Sequence, residues 1–504
     1  MSDTGTPTAP TTPRSPLVLP LLCLAQFMVI LDVSIVNIAL PSIQRDLDVS
    51  QQNLQWVVTA YGLTLGGFLL LGGRCSDILG RRRMFMLGVT VFTLCSLACG
   101  LAPSIAVLIV ARAIQGIGSA LTAPAALSLL TTVFHEGAER NKALGIWGAL
   151  GGSGAAAGVL LGGLITEGLG WEWIFFLNIP IGIFVVFFAP RVLPEGAGAP
   201  GKRHFDLGGG LAVTAGLLIG VYSVHRSVDH GWTDATTMSC VVGAILLIGL
   251  FLLIESRSKH PLMPLSIFRL RSVSVSNGLA LLVFGALFAL FFMLSLYMQQ
   301  VLGYSALRAG LAYFPLAFLI IVSATISSQV VTRVGPKPVL AIGMTMVGVA
   351  LLLFARAPVD GHYLTDLLPG FVLAAAGLGA SVVPIQVAAF QGVPESESGL
   401  AAGLINTAQE IGGALVIATL ASISFSQTRS YLAERGGDPQ FIPAGLTHGF
   451  HIAFVVAAVL AFAAAIITVL ALPGGAPRDE EAKPGVPPMT PDPVKDPDRG
   501  VPTV

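Results

Sequence analysis

Residues 17–41 read LVLPLLCLAQFMVILDVSIVNIALP. An apolar run of that length spans a bilayer as one helix. Asp32 stands about two-thirds of the way along it, with no other charge between Arg14 and Arg45. A carboxylate inside a span is costly enough to imply a role, and its chemistry suits protons, cations or an arginine as partner.

The rest of the chain agrees with that first segment. Of 504 residues, 54% are hydrophobic and only 11% charged, with a mean hydropathy of +0.81. Too little polar surface exists to cover that much apolar side chain, which excludes a soluble globule and points to an all-α polytopic membrane protein. The opening MSDTGTPTAPTTPRSP (residues 1–16) lacks the charged start, apolar core and cleavage site of a secretory signal, so it reads as a disordered cytoplasmic end and the first helix as a retained anchor. Cys23, Cys75, Cys95, Cys99 and Cys240 all fall within or at the ends of apolar stretches and read as small packing residues.

Apolar stretches recur over 17–41, 54–73, 84–102, 104–126, 144–166, 172–190, 206–224, 237–255, 274–298, 308–330, 337–355, 366–388, 399–424 and 447–471, which predicts fourteen helices. With the N-terminus in the cytoplasm, every lysine and most arginines lie inside, while Arg45, Arg226, Arg308, Arg356, Arg429 and Arg435 lie outside and Arg112 falls within a helix. This bias sets an N-in, C-in orientation. Two charged links, 191–205 and 256–273, bracket a helix pair. They divide the chain into a six-helix bundle over 17–190, an extra pair over 206–255, a second six-helix bundle over 274–471 and a disordered cytoplasmic tail over 472–504. A faint repeat supports the division, because Gly73 through Arg83 after the second helix aligns with Thr332 through Lys337 after the tenth, pairing Gly80 with Gly335 and Asp77 with Thr332. Two such halves related by an axis along the membrane normal are the plan of a major facilitator.

Four segments carry candidate chemistry. The short link Gly73…Asp77…Gly80-Arg81-Arg82-Arg83 puts one carboxylate among arginines; Asp77 can pair with Arg81 or meet the N-terminal end of a helix from the other half. In the fourth helix, Arg112 lies about eight residues from the outer end, roughly 12 Å deep. Asp32 is at similar depth, so the two pair if their helices are neighbours. Gln115 follows one turn later. The fifth helix, from Gly145 through Gly148, Gly154, Gly158, Gly162 and Gly163, has one face of nearly bare backbone that lets another helix approach. In the thirteenth, Glu410 lies near the midplane with no basic residue in its own helix. It can exchange a proton, face a cationic ligand or stay protonated against a neighbour. Phe288, Phe291, Phe292 and Tyr297 in the ninth helix are candidates to line a cavity, whereas Trp171 and Trp173 read as an interfacial belt. No GxxxxGK[ST] is present, which argues against ATP-driven transport by this chain.

Across nearly the whole membrane region the chain resembles the fourteen-helix drug:proton antiporters of the major facilitator superfamily. Leu31 through Pro41 matches their first-helix motif, Gly73 through Arg83 the loop motif, Arg112 through Ala120 the fourth-helix motif, and Gly148 through Gly163 the antiporter motif. The resemblance implies a cytoplasmic gate latch at Gly73, Asp77, Gly80, Arg81 and Arg82, proton coupling at Asp32 and Arg112, and export associated with the glycine helix. The chain departs from the pattern at Ile78, Val159, Glu172 and Glu410.

The expected function is therefore a proton-driven secondary transporter of the plasma membrane that exports hydrophobic or amphipathic drugs by alternating access. Asp32, Arg112 and Glu410 are the expected proton-coupling residues, and Glu410, Gln115, Phe292 and Tyr297 the expected substrate contacts. Its partners are a small hydrophobic molecule, protons and lipid, with no nucleic acid, cofactor or metal, acting as a monomer. The alternative is an uptake symporter for a small polar metabolite, which calls for a more polar cavity. A receptor or enzyme would need a soluble domain, for which no segment is long enough.

Overall fold

A computed structural model of the chain describes residues 15–49, 51–134, 136–194, 206–258, 261, 263–436 and 438–473. Most of the two expected disordered ends and of the 191–205 link lie outside the described residues. Sixteen α-helices follow in order: α1 (Val18–Asp46), α2 (Gln51–Leu79), α3 (Arg81–Gly100), α4 (Ile105–Val133), α5 (Ala138–Gly168), α6 (Trp173–Phe176), α7 (Asn178–Val192), α8 (Leu207–His230), α9 (Ala235–Arg257), α10 (Arg271–Leu296), α11 (Ala306–Ala312), α12 (Phe314–Val334), α13 (Pro336–Phe354), α14 (Leu368–Ala389), α15 (Ser398–Ala433) and α16 (Ile442–Ala471). There is no strand among the described residues, as an all-α membrane protein requires, since only a helix satisfies its own backbone in lipid.

Among the described residues, twelve helices are long and apolar enough to cross a membrane. α6 with α7, and α11 with α12, each make one of these crossings, interrupted at Leu177 and Tyr313. α5 and α8 stand outside the twelve, at 31 and 24 residues. At 1.5 Å per residue they are about 46 and 36 Å long, against a hydrocarbon core of about 30 Å.

Most helices outrun their apolar stretches. α1 continues through Pro41 to Asp46, and α15 continues past Ser424, where its apolar stretch ends, to Ala433. Hydropathy marks where lipid begins, whereas intrahelical hydrogen bonds continue into polar surroundings.

α1 through α7 pack on one another, and so do α10 through α16. The two groups meet along α2 against α15, α4 against α15 and α5 against α12. The α8–α9 hairpin lies outside both, with α8 touching α2 and α15 along their seam. Its Leu218 and Val221 sit over Gly67 and Gly66 of α2, and the rings of Tyr222 and Trp56 stack 6.4 Å apart. The internal repeat reappears at the helix junctions: Gly80 between α2 and α3 has φ 102°, and Gly335 between α12 and α13 has φ 81°. Only glycine adopts this backbone without strain, so each half turns the same corner with the same residue.

α2 and α15 touch backbone to backbone. A Cβ at Gly73 would lie 2.9 Å from Gly403 Cα, and one at Gly403 would lie 3.3 Å from Gly73 Cα. Gly73→Val is expected to part these helices and expose the buried Ser128 and Ser398, whose hydroxyls bond at 2.8 Å across the divide. Maleimide labelling of a single cysteine at position 398, in a background without native cysteines, should rise at least several-fold; unchanged labelling would mean that this packing does not hold the halves together.

Candidate functional site

The Asp32 carboxylate is fully buried and Arg112 is 1% exposed. Arg112 Nη1 donates to Asp32 Oδ2 at 2.5 Å and to Gln115 Oε1 at 2.8 Å, while its Nε donates to the Val57 carbonyl at 3.2 Å. Asp32 Oδ1 accepts from Gln115 Nε2 at 3.2 Å and from Asn178 Nδ2 at 3.1 Å. Gln115 and Asn178 also donate to Ser96 Oγ, which itself donates to the Phe175 carbonyl. The guanidinium lies 4.1 Å from the centre of the Tyr61 ring, whose hydroxyl bonds to Ser119 at 2.7 Å. Residues from α1, α2, α3, α4, α6 and α7 thus enclose one ion pair. In a low-dielectric interior such a pair persists only when its remaining hydrogen-bonding positions are also filled.

The expected pairing of Asp32 with Arg112 is present, and Gln115 serves that pair rather than a substrate wall. Asn178, Ser96 and Tyr61 join it without having stood out as site residues. Asn178 and Ser96 are polar side chains inside apolar stretches, the one signal that marks them in the sequence.

A second cluster closes one face of the molecule. Asp77 Oδ1 accepts from Gly399 N at 2.9 Å and its Oδ2 from Leu400 N at 2.8 Å, so the carboxylate caps the first turn of α15 in the other half. The free N–H groups and dipole of a helix start favour a negative charge there. Arg81 Nε stands 3.6 Å from Asp77 Oδ1. Arg81 also donates to Thr132 Oγ1 and to the Glu395 carbonyl, crossing the divide again. Both pairings that the sequence allowed Asp77 therefore occur together. Arg82 donates to the Pro190 and Leu193 carbonyls at the end of α7. A matching contact joins the opposite seam, where Asn141 at the start of α5 donates to Thr332 Oγ1 of α12 at 2.9 Å. Thr332 is the residue that the repeat aligns with Asp77.

The glycines of α5 serve two neighbours. Cβ atoms at Gly154, Gly158 and Gly162 would crowd Ile30, Ser34 and Ile35 of α1, whereas Gly145 and Gly148 face Ser328 of α12 and Val382 of α14. Gly163 faces open space within 4 Å. The helix that seats α1 thereby also contacts the second half.

Glu410 is half-buried on α15 and makes no hydrogen bond or ion pair among the described residues. Phe292 is 38% exposed, one turn beyond Phe288, whose ring packs at Gly413. Tyr297 belongs elsewhere. It is 1% exposed, its hydroxyl donates to the Pro358 carbonyl at 2.5 Å, and its ring meets Phe450 edge-on. It therefore packs the second group of helices instead of facing a substrate. Among the described residues, no cluster of three or more His, Cys, Asp or Glu is arranged to hold a metal ion.

Residues 22–417 match the family model described as Major Facilitator Superfamily. This span exceeds half of the chain. The chain belongs to the Major Facilitator Superfamily. Among similar proteins, the puromycin resistance protein pur8 of Streptomyces alboniger is 39% identical over 455 residues, covering 89% of this chain and 88% of its own. The cephamycin export protein CmcT of Amycolatopsis lactamdurans is 38% identical over 470 residues, covering 93% and 94%. The lincomycin resistance protein of Streptomyces lincolnensis is 34% identical over 468 residues, covering 91% and 92%. Of solved structures, the human organic anion transporter MFSD10 aligns with a TM-score of 0.63 at 15% identity, over 90% of this chain and all of its own, a likeness of fold. As a Major Facilitator Superfamily member the protein is a membrane transporter and not an enzyme, and the expected fold class stands.

The Asp77 contact has a measurable consequence. Asp77→Asn replaces a charged acceptor by a neutral amide at the start of α15, removing about 1–2 kcal/mol from the closed face. Labelling of a cysteine at Ser398 should rise roughly fivefold or more; an unchanged rate would show that Asp77 does not hold this face shut.

Proposed function

We propose that the protein exports hydrophobic or amphipathic compounds, antibiotics among them, in exchange for protons. The observation that carries this reading is the Asp32–Arg112 pair, fully buried yet built from two groups that only a proton can uncouple in place. Protonating Asp32 cancels its charge and leaves Arg112 with the Val57 carbonyl, Gln115 and the Tyr61 ring, all neutral. A buried cation without a counter-ion is costly, so the helices carrying the pair gain by rearranging. Such a two-state element is what alternating access requires.

The lysine and arginine bias supports assigning the Asp77 face, and both termini, to the cytoplasm of the cell that carries the protein in its plasma membrane. With that assignment the two seams are joined at the cytoplasmic end, which fits an outward-facing conformation of a monomer. Gly73, Asp77, Gly80 and Arg81 then form the gate, with Arg82 anchoring α3 to α7, and α5 transmits movement between α1 and the second half. Substrate lies between the halves near the midplane, beside Glu410 and Phe292. Relatives named for resistance to puromycin and lincomycin, and for export of cephamycin, support the direction and the substrate class.

Inhibitory concentrations for a panel including puromycin, lincomycin and a cephamycin, in an efflux-deficient host with and without expression, test the reading; no rise for any compound would overturn it. Asp32→Asn should abolish drug-dependent proton release from proteoliposomes while the protein still inserts, and full resistance in that variant at normal expression would remove Asp32 from the mechanism. Glu410→Gln should reduce export of lipophilic cations about tenfold or more and largely spare neutral compounds, because a carboxylate shielded from water gains far more from a cation than from a neutral partner. Equal loss of both would assign Glu410 to proton coupling or folding.

A further inference from the structure

One turn of α15 collects polar atoms with nothing to bind. Asn406 Nδ2, Thr407 Oγ1 and Gln409 Nε2 are all buried without a hydrogen-bond partner, and Asn406 and Thr407 are each 9% exposed. Thr419 of the same helix bonds the carbonyl four residues back, at Leu415, and Thr447 of α16 does the same at Pro443. Thr407 does not. Buried polar groups in folded proteins are almost always paired, so three orphans within four residues call for a partner that the chain itself does not supply.

Their position says where that partner sits. Gly399 and Gly403 pack against α2 of the first half, at Gly73 and Leu69. Asn406 and Glu410 continue the same stripe, because spacings of four, three and four residues stay on one side of a helix. The stripe therefore carries Asn406 and Glu410 along the divide between the halves, with Thr407 and Gln409 flanking them. The Phe288 ring meets Gly413 just beyond, adding an aromatic surface next to the carboxylate.

We infer that the Asn406–Glu410 turn of α15 is the hydrogen-bonding wall of the substrate site, selecting amphipathic amines whose carbonyl or hydroxyl oxygens flank the charged nitrogen; this rests on the export reading above. Glu410 meets the ammonium, and the Asn406 and Gln409 amides donate to the oxygens beside it. Amide groups turn readily about their last torsion, which lets these buried donors swing toward a ligand. A substrate that satisfies them removes the penalty of leaving them unpaired, whereas a bare lipophilic cation does not.

Two probes separate charge from hydrogen bonding. Tetraphenylphosphonium is a permanent cation without a hydrogen-bonding group, while doxorubicin joins an amine to several hydroxyl and carbonyl oxygens. Export of each into proteoliposomes is compared for wild type, Asn406→Leu, Gln409→Leu and the smaller Asn406→Ala and Gln409→Ala. The half-saturating doxorubicin concentration should rise about three- to tenfold, the value of one lost hydrogen bond. Tetraphenylphosphonium export should be unchanged, which also certifies folding and proton coupling. Equal weakening of both probes in the alanine variants, or no weakening of doxorubicin in any variant, overturns the inference. Glu410→Gln is run beside them: if it leaves both cations unaffected while the amide variants still discriminate, the charge assignment fails and the hydrogen-bonding wall stands.

Discussion

A charge inside a bilayer must find its compensation within the protein, and here the Asp32–Arg112 ion pair draws six helices around itself to do so. Two groups at 2.5 Å would not suffice alone, since each has further donor or acceptor positions to fill. Gln115, Asn178, Ser96 and the Val57 carbonyl fill them. The first group of helices is consequently organised around a polar centre, with apolar packing on either side of it.

The same constraint governs the divide between the halves. Asp77 directs its charge at backbone N–H groups of α15, a partner that exists only while the two halves are together at that end. Glycines at 73, 399 and 403 make the approach possible by keeping side chains out of the contact. The opposite seam uses a neutral Asn141–Thr332 contact at the corresponding place. The first seam thus closes on a carboxylate, and the opposite seam adds the Arg140 guanidinium 5.6 Å from the Phe390 ring centre. The α8–α9 hairpin packs against the α2–α15 seam.

Most of the architecture was legible before any tertiary contact was known. Hydropathy located most of the membrane helices but misplaced their ends, because transfer free energy reports lipid contact and not the last hydrogen bond of a helix; the breaks at Leu177 and Tyr313 were not foreseen, and α5 and α8 fall outside the twelve apolar crossings found among the described residues. Depth counting brought Asp32 and Arg112 level, and the Gly80–Gly335 alignment reappeared as two left-handed corners. The aromatic candidates were less legible. Phe292 remains exposed while Tyr297 is sealed against Pro358 and Phe450, a difference that residue type and spacing do not encode.

Whatever depends on a residue and its near neighbours could be read along the chain: the membrane class, the helical segments, the depth of each embedded charge and the family motifs. These follow from hydrophobicity and a fixed rise per residue. Which helices stand side by side was settled at the tertiary level. That choice made Asn178 and Ser96 part of the ion-pair network, gave Asp77 both Arg81 and the start of α15, and divided the glycines of α5 between α1 and the second half. It also left the polar turn of α15 without a partner. Helix adjacency is settled by the shapes of whole surfaces fitting together, information that is spread over the chain and absent from any one stretch of it.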